Sequence, residues 1–202
     1  MISLYRWQPD QPHGTWVDLP ELPADNRVPA GEVWWLDLDD ASEEEEAVVF
    51  QKFLPVHPLT LEDIRRPRRE PDQAPHFPKV EEFPDYLLVI ANALRPACDT
   101  DVGGAAADMA CAVVQLSAVL TEQVLVTHHY QSVPSVTTVK QFLYRHAEQA
   151  GRGPDYLFHL VLDNVVDDFA PEIDRLVNRL DDIEERVFDQ PSQQLLTELI
   201  HL

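Results

Sequence analysis

Two adjacent acids, Glu62 and Asp63, are the first candidates for chemistry. They lie in the run HPLTLEDI at residues 57–64, which predicts a helix from Pro58 to about Arg65 because proline is tolerated in a first turn. Neighbouring side chains on a helix diverge by about 100°, so both carboxylates cannot converge on one compact site. They can serve an ion held against another surface, because Mg²⁺ needs only one or two carboxylates with retained waters. The alternative is a helix end carrying two solvated acids.

A second acidic feature follows one face of a long helix predicted from Pro154. Its members recur at steps of four or seven residues and are Asp163, Asp167, Asp174, Asp181 and Glu185. Like charges four residues apart destabilise a helix by a few tenths of a kcal/mol, so bases or counterions must offset this stripe. From Asp174 onward a solvated helix face is the simpler interpretation.

Histidines and arginines give weaker candidates. His128 and His129 follow a predicted strand, where adjacent side chains point to opposite faces, so they should not chelate one ion together. The arginines between Arg65 and Arg69 are accompanied by no glycine-rich loop and no series of stacking aromatics, which are signatures of phosphate and nucleic-acid sites. We expect these arginines to neutralise neighbouring acids.

The composition of the chain supports a cation partner and argues against nucleic acid. Its 202 residues include 36 acidic and 15 basic side chains, a net charge of −21 that repels phosphate backbones and anionic membrane surfaces. The apolar fraction of 45% suffices for a folded core. Cys98 and Cys111 are too few for a disulfide framework. No apolar run reaches the roughly 18 residues of a membrane-spanning helix.

The pattern of short β-rich runs predicts a mixed α/β domain over residues 1–131. The predicted strands are residues 2–7, 15–19, 33–38, 86–94, 110–116 and 124–127. A helix should begin at Ser42, because Glu45 three residues later completes a capping box, and residues 99–108 resemble a hairpin loop. The expected fold class is α/β (α+β): a mixed β-sheet flanked by helices in an αβα sandwich, followed by a long helix and the start of a returning helix.

Residues 132–202 are predicted to form a helical part. It comprises a helix at 135–150, a long helix at 154–188 and the start of a returning helix at 191–202. A 3.5-residue period indicates that the long helix packs along a partner helix, through Phe169, Ile173, Leu176, Leu180, Ile183 and Val187. Pro171 predicts a kink near Asp167. The stripe from Leu195 to Leu202 has no closing glycine or proline, so we expect a missing C-terminal part.

The run at residues 57–64 resembles the signature of the CorA family of divalent-cation transporters. Further segments resemble that family in the same order: VWWLDL at 33–38, PKVEEFPDYL at 78–87, VLVT at 124–127, PDYL at 154–157 and LDNVVDDF at 162–169. Together they cover nearly the whole chain from about residue 33. One departure is an extra segment between Arg69 and Pro78, where the family usually passes directly from the helix to the next segment. It includes Glu70, Pro71, Asp72, Pro75 and His76.

The resemblance implies a homopentamer whose soluble domains lie at the cytoplasmic face of the inner membrane. The pore would be formed by two C-terminal helices per subunit, with the family's Gly-Met-Asn motif, in the missing part. Glu62 and Asp63 match family positions that bind regulatory Mg²⁺ at a subunit boundary, and Asp163 resembles a position that joins this site. The implied ion is Mg²⁺, with Co²⁺ or Zn²⁺ as alternatives, and the implied protein is no enzyme.

The resemblance therefore predicts a Mg²⁺-sensing regulatory domain in which ions between subunits favour a closed pore. The related zinc-transporting branch shares this domain plan and is an alternative. A metal-dependent hydrolase belongs to another class, since clustered carboxylates also build two-metal sites, but no compact carboxylate and histidine motif or phosphate cradle supports it. A helical interaction module that does not respond to divalent ions is a further alternative.

Overall fold

The computed structural model describes residues 1–18, 21–23, 27–71, 75–95 and 113–189. Within them, seven strands form one sheet in the order β2-β1-β3-β7-β6-β5-β4. The strands are β1 Ile2–Gln8, β2 Gln11–Asp18, β3 Val33–Asp39, β4 Lys79–Glu82, β5 Leu87–Leu94, β6 Val113–Leu120 and β7 Val124–His129. The central β3 and β7 pair in parallel, and every other neighbouring pair of this sheet is antiparallel.

Four α-helices, one π-helical turn and one 3₁₀ turn accompany this sheet in the described part of the chain. They are α1 Glu43–Ala47, the π-helical turn Val48–Phe53, α2 Pro58–Arg69, α3 Pro134–Arg145, the 3₁₀ turn Ala147–Arg152 and α4 Pro154–Asp189. The predicted capping box is confirmed, because the Ser42 hydroxyl accepts from the Glu45 N–H and the Glu45 carboxylate accepts from the Ser42 N–H.

Helices cover both faces of the sheet, which explains why the central strands are apolar on both sides. Phe50, Phe53 and Ile64 bring α2 and the π-helical turn against one face. Leu143 of α3 and Leu157 of α4 join the core on the opposite face. The predicted fold class is thereby confirmed as an α+β fold with a mixed sheet between two helical layers.

Several predicted boundaries differ from the observed ones for local reasons. Helix α2 continues to Arg69 instead of ending near Arg65, because the turn containing Pro67 is held by ion pairs of Arg65 and Arg68 to Glu46. The helix predicted at 135–150 ends at Arg145 and gives way to a 3₁₀ turn. Strand β6 extends to Leu120, beyond the predicted end at residue 116.

One strand was missed by the sequence analysis, and three of its predictions are not tested by the structure. Strand β4 was not predicted at all, since its only apolar residue is Val80 and the segment therefore shows no apolar alternation. The loop at 99–108 and the returning helix at 191–202 lie outside the described residues. The division into domains at residue 131 stays a prediction, and the core of one face draws side chains from both sides of it.

Helix α4 is long, about 54 Å at 1.5 Å per residue, and only its first half is well buried. Leu157 and Val161 are fully buried in the core. Farther along, the predicted seam is uneven: Ile183 is buried, whereas Ile173, Leu180 and Val187 are each more than 40% exposed. The helix continues through Pro171, and a kink there stays a prediction. No helix in the described part of the chain has the length and hydropathy needed to cross a membrane.

The uneven burial of α4 predicts a contrast between two leucine truncations. Leu157→Ala should lower the free energy of unfolding by about 2 to 5 kcal/mol, because a fully buried side chain leaves a cavity. Leu180→Ala should cost less than about 1 kcal/mol, because 44% of that side chain is already exposed. Urea unfolding of both variants measures the difference, and equal losses would contradict it.

Candidate functional site

The buried carboxylate of Glu46 attaches α2 to the sheet. Its Oε2 lies 2.6 Å from Arg65 Nε, and its Oε1 accepts from Arg68 Nη1 at 3.2 Å and from the Tyr130 hydroxyl at 2.6 Å. Its Oε1 also lies 3.2 Å from His128 Nε2. Burial alone would raise the pKa of Glu46, but hydrogen bonds from His128, Tyr130 and Arg65 lower it to about 2. The anchored helix presents its acidic residues on the outer side.

Asp63 of α2 is already paired with two bases of its own chain. Its Oδ2 lies 2.7 Å from Lys79 Nζ, and its Oδ1 lies 2.9 Å from His76 Nε2. Lys79 also contacts Glu81 Oε1 at 2.9 Å. Burial disfavours the charged ammonium, but hydrogen bonds to Asp63 and Glu81 outweigh it and raise the pKa of Lys79. The Asp63 side chain is 19% exposed, so an ion can approach it from solvent.

His76 comes from the extra segment, and the structure shows how that segment is attached. The backbone N–H of His76 donates to Gln115 Oε1 at 3.4 Å, and its carbonyl accepts from Asn92 Nδ2 at 3.0 Å. Gln115 Nε2 in turn donates to the backbone carbonyl of Asp63 at 3.0 Å. Strands β5 and β6 therefore position both the imidazole and the carboxylate that it contacts.

Glu62 lies on the same helix beside a shallow cleft of about 290 Å³. Its carboxylate pairs with Arg69 Nη1 at 2.9 Å, and both side chains are largely exposed. Both acids and bases line the cleft, which is formed by Glu62, Asp63, Arg66, Arg69, Glu70 and His76. The expectation that the arginines of α2 neutralise neighbouring acids is supported by these pairs and by those of Glu46.

Asp163 is exposed on α4 and does not join the other two candidates. Helix α2 covers one face of the sheet and α4 covers the other, so the sheet separates Asp163 from Glu62 and Asp63 within one chain. No three His, Cys, Asp or Glu side chains of the described residues are grouped so that they could hold a metal ion. A site that uses all three candidates therefore requires two chains.

His128 and His129 point to opposite faces of the sheet, as the sequence predicted. His128 contacts Glu46 on the α2 side, and burial lowers its pKa. His129 Nε2 lies 3.2 Å from Asp37 Oδ1 on the α3 side. Burial would lower the pKa of His129, but the hydrogen bond to Asp37 raises it. Each histidine completes a separate buried network, and neither is placed to share a metal with the other.

The fold agrees with what comparison with known families shows. The family model described as CorA-like Mg2+ transporter protein matches residues 30–202. The chain therefore belongs to this family of ion transporters, whose members are not enzymes. The hydrolase alternative has no support from this assignment.

Individual relatives are distant in sequence but similar in fold. The putative metal ion transporter YfjQ of Bacillus subtilis is 24% identical over 182 residues, which cover 84% of this chain and 49% of that relative. The complete CorA magnesium transporter of Methanocaldococcus jannaschii aligns with all of this chain and 55% of its own, with a TM-score of 0.66 at 14% identity. The ZntB cytoplasmic domain of Vibrio parahaemolyticus aligns with 90% of this chain and 65% of its own, with a TM-score of 0.63 at 11% identity. The chain thus spans about half the length of its curated Bacillus relative.

The Glu46 network predicts an acid-sensitive contribution to stability. Glu46→Gln should lower the free energy of unfolding by roughly 3 to 5 kcal/mol at neutral pH, because it leaves buried bases without their carboxylate. The folded state holds the pKa of Glu46 at about 2, below its ordinary value. The stabilisation is therefore present above that ordinary value and lost as pH falls through about 2.

Urea unfolding of the parent chain and of Glu46→Gln between about pH 7 and pH 2 measures this dependence. The difference in free energy of unfolding between the parent and Glu46→Gln should become smaller as the pH falls. Glu122→Gln is the matched control, because it removes one carboxylate from an exposed position in a turn. A difference in free energy of unfolding that stays constant over this pH range would show that the charge of Glu46 is not the source of stability.

Proposed function

We propose that the chain is the cytoplasmic, Mg²⁺-sensing regulatory domain of a CorA-type magnesium and cobalt transporter. One observation carries the proposal: Asp63 and Asp163 are accessible on opposite sides of one αβα sandwich. A carboxylate on each side cannot complete a site within its own chain. It can complete a site with the opposite side of a neighbouring copy, where an ion would lie between α2 of one subunit and α4 of the next.

This arrangement favours a ring of identical subunits. An interface that joins two different surfaces of the same chain is heterologous, and it closes into a ring when the rotation between copies permits. Family membership supports the homopentamer implied by the sequence resemblance. With −21 on each chain, neighbouring subunits repel one another, and divalent cations between them would reduce that repulsion.

The residues present suit the chemistry of Mg²⁺. Carboxylate oxygens are hard ligands, and Mg²⁺ commonly keeps several waters while it contacts one or two carboxylates. Asp63 would hold the ion from one subunit and Asp163 from its neighbour, with Glu62 beside them. The bound ion would supply positive charge between facing acids. Because such an ion binds the closely packed arrangement better than a splayed one, it would shift the population toward the closed state.

The remaining parts of the protein follow from the same proposal. Residues 1–131 would form the α/β body and residues 132–202 the helical part. The membrane pore would lie in further C-terminal helices outside these 202 residues, and the domain would face the cytoplasm. The fold similarity to the ZntB cytoplasmic domain makes the zinc-transporting branch the second candidate. Measuring uptake of Mg²⁺, Co²⁺ and Zn²⁺ by the intact transporter distinguishes the two branches.

The proposal predicts that Asp63→Asn and Asp163→Asn weaken Mg²⁺ sensing in the intact transporter. Each variant removes one charge and keeps the side-chain size, so the ion should distinguish closed from open states less well. The Mg²⁺ concentration that half-protects the domain from proteolysis should rise by about tenfold, equivalent to about 1.4 kcal/mol. Ion selectivity of the pore should not change.

Asp174→Asn is the matched control, because it removes an exposed acid from the same helix as Asp163. Its protection curve should overlay that of the parent protein. If the curves of Asp63→Asn and Asp163→Asn also overlay the parent, the sensing site is assigned to the wrong residues. The family assignment would stand in that case.

A further inference from the structure

We propose that Lys79 is a tethered cation that competes with the divalent ion for Asp63 and so sets the ion concentration at which the domain responds. This inference rests on the proposed function and adds a regulatory residue to its site. It is carried by the position of the Lys79 ammonium, which lies 2.7 Å from Asp63 Oδ2. That oxygen is one through which an ion would bind.

The competition is both steric and electrostatic. Magnesium binds carboxylate oxygens at about 2.0 to 2.1 Å, so the ion and the ammonium cannot occupy the same lone-pair direction of Oδ2. Two cations on one carboxylate also repel each other strongly in a partly buried setting. Since the Lys79 side chain is 26% exposed, water screens this repulsion only in part. Ion binding therefore requires Lys79 to leave Asp63 or to share it at a cost.

Glu81 gives Lys79 a second position. Its Oε1 lies 2.9 Å from Lys79 Nζ, so the ammonium already bridges two carboxylates. When an ion takes Asp63, Lys79 can remain paired with Glu81 and lose only one of its two partners. Lys79 is therefore paired with a carboxylate both before and after the ion binds, and its charge is never left without a partner.

His76 occupies the other oxygen of the same carboxylate. Its Nε2 lies 2.9 Å from Asp63 Oδ1, and its backbone is fixed by Asn92 and Gln115. Both oxygens of Asp63 therefore have partners in the same chain. Because the Lys79 ammonium has an alternative partner in Glu81, Lys79 is the group that is displaced.

The test compares Mg²⁺ responses of Lys79→Met and the parent in the intact transporter. Calorimetric Mg²⁺ titration and protease protection are the measurements, and neither depends on ion transport. Lys79→Met removes the ammonium and keeps most of the apolar stem, so half-saturation should occur at about a fivefold lower Mg²⁺ concentration, equivalent to about 1 kcal/mol. Lys79→Arg keeps the charge and should stay within about twofold of the parent.

Lys52→Met is the matched control. Lys52 is exposed on the π-helical turn, and its removal changes the net charge by the same amount as Lys79→Met. It should leave the Mg²⁺ response unchanged if local competition is the cause. An equal gain in Lys52→Met would mean that net charge alone sets the response, and would overturn the proposal.

Two further outcomes separate this inference from the proposed function. If Asp63→Asn weakens the response but Lys79→Met leaves it unchanged or weakens it too, Asp63 binds the ion and Lys79 does not compete. If Asp63→Asn has no effect, the proposed site itself fails, and the competition fails with it. Circular dichroism melts of each variant confirm that a changed response does not come from unfolding, and Lys79→Arg supplies the comparison if Lys79→Met is unstable.

Discussion

The position of α2, and with it the positions of the Glu62 and Asp63 carboxylates, depends on one buried carboxylate. Glu46 is fully buried, and a charge in that position is costly unless it is closely paired and hydrogen-bonded. Its partners come from α2, through Arg65 and Arg68, and from the end of β7, through His128 and Tyr130. These contacts connect α2 to the end of β7 through one carboxylate and so restrict where the helix can lie.

A second buried carboxylate has the same role on the other face of the sheet. Asp37 accepts from the Thr127 hydroxyl and pairs with His129 and with Lys140 of α3. Burial would raise its pKa, but hydrogen bonds and charges from His129 and Lys140 hold the pKa of Asp37 well below its ordinary value. Because His128 and His129 are adjacent on β7, the two helical layers are attached to the sheet at consecutive residues of one strand. Acid should weaken both attachments, because each carboxylate has a lowered pKa in the folded state and loses its charge when protonated.

The sequence predicted those features that depend on local pattern. Short β-rich runs identified most strands, and the spacing of Ser42 and Glu45 identified a helix start that the structure confirms. It could not predict the pairing of Asp63 with Lys79, because the contact joins residues 16 positions apart across an inserted segment. A weak signal was present, since Lys79 and Glu81 lie two apart and would share a face of a strand. Nothing in the spacing indicated that His76 would reach the same carboxylate.

The distribution of charge explains why the two sides of the proposed interface need not be equivalent. On α2, both candidate acids are paired with bases of their own chain. On α4, the stripe containing Asp163 and Asp167 is exposed. If both surfaces carried unpaired acids, removal of the ion would leave strong repulsion between subunits. Since Lys79 and Arg69 already pair with the acids of one surface, that repulsion would be limited, and a bound ion would add a graded stabilisation. The bases that lower the affinity of the site for its ion would therefore also keep neighbouring subunits close enough for the ion to bind again.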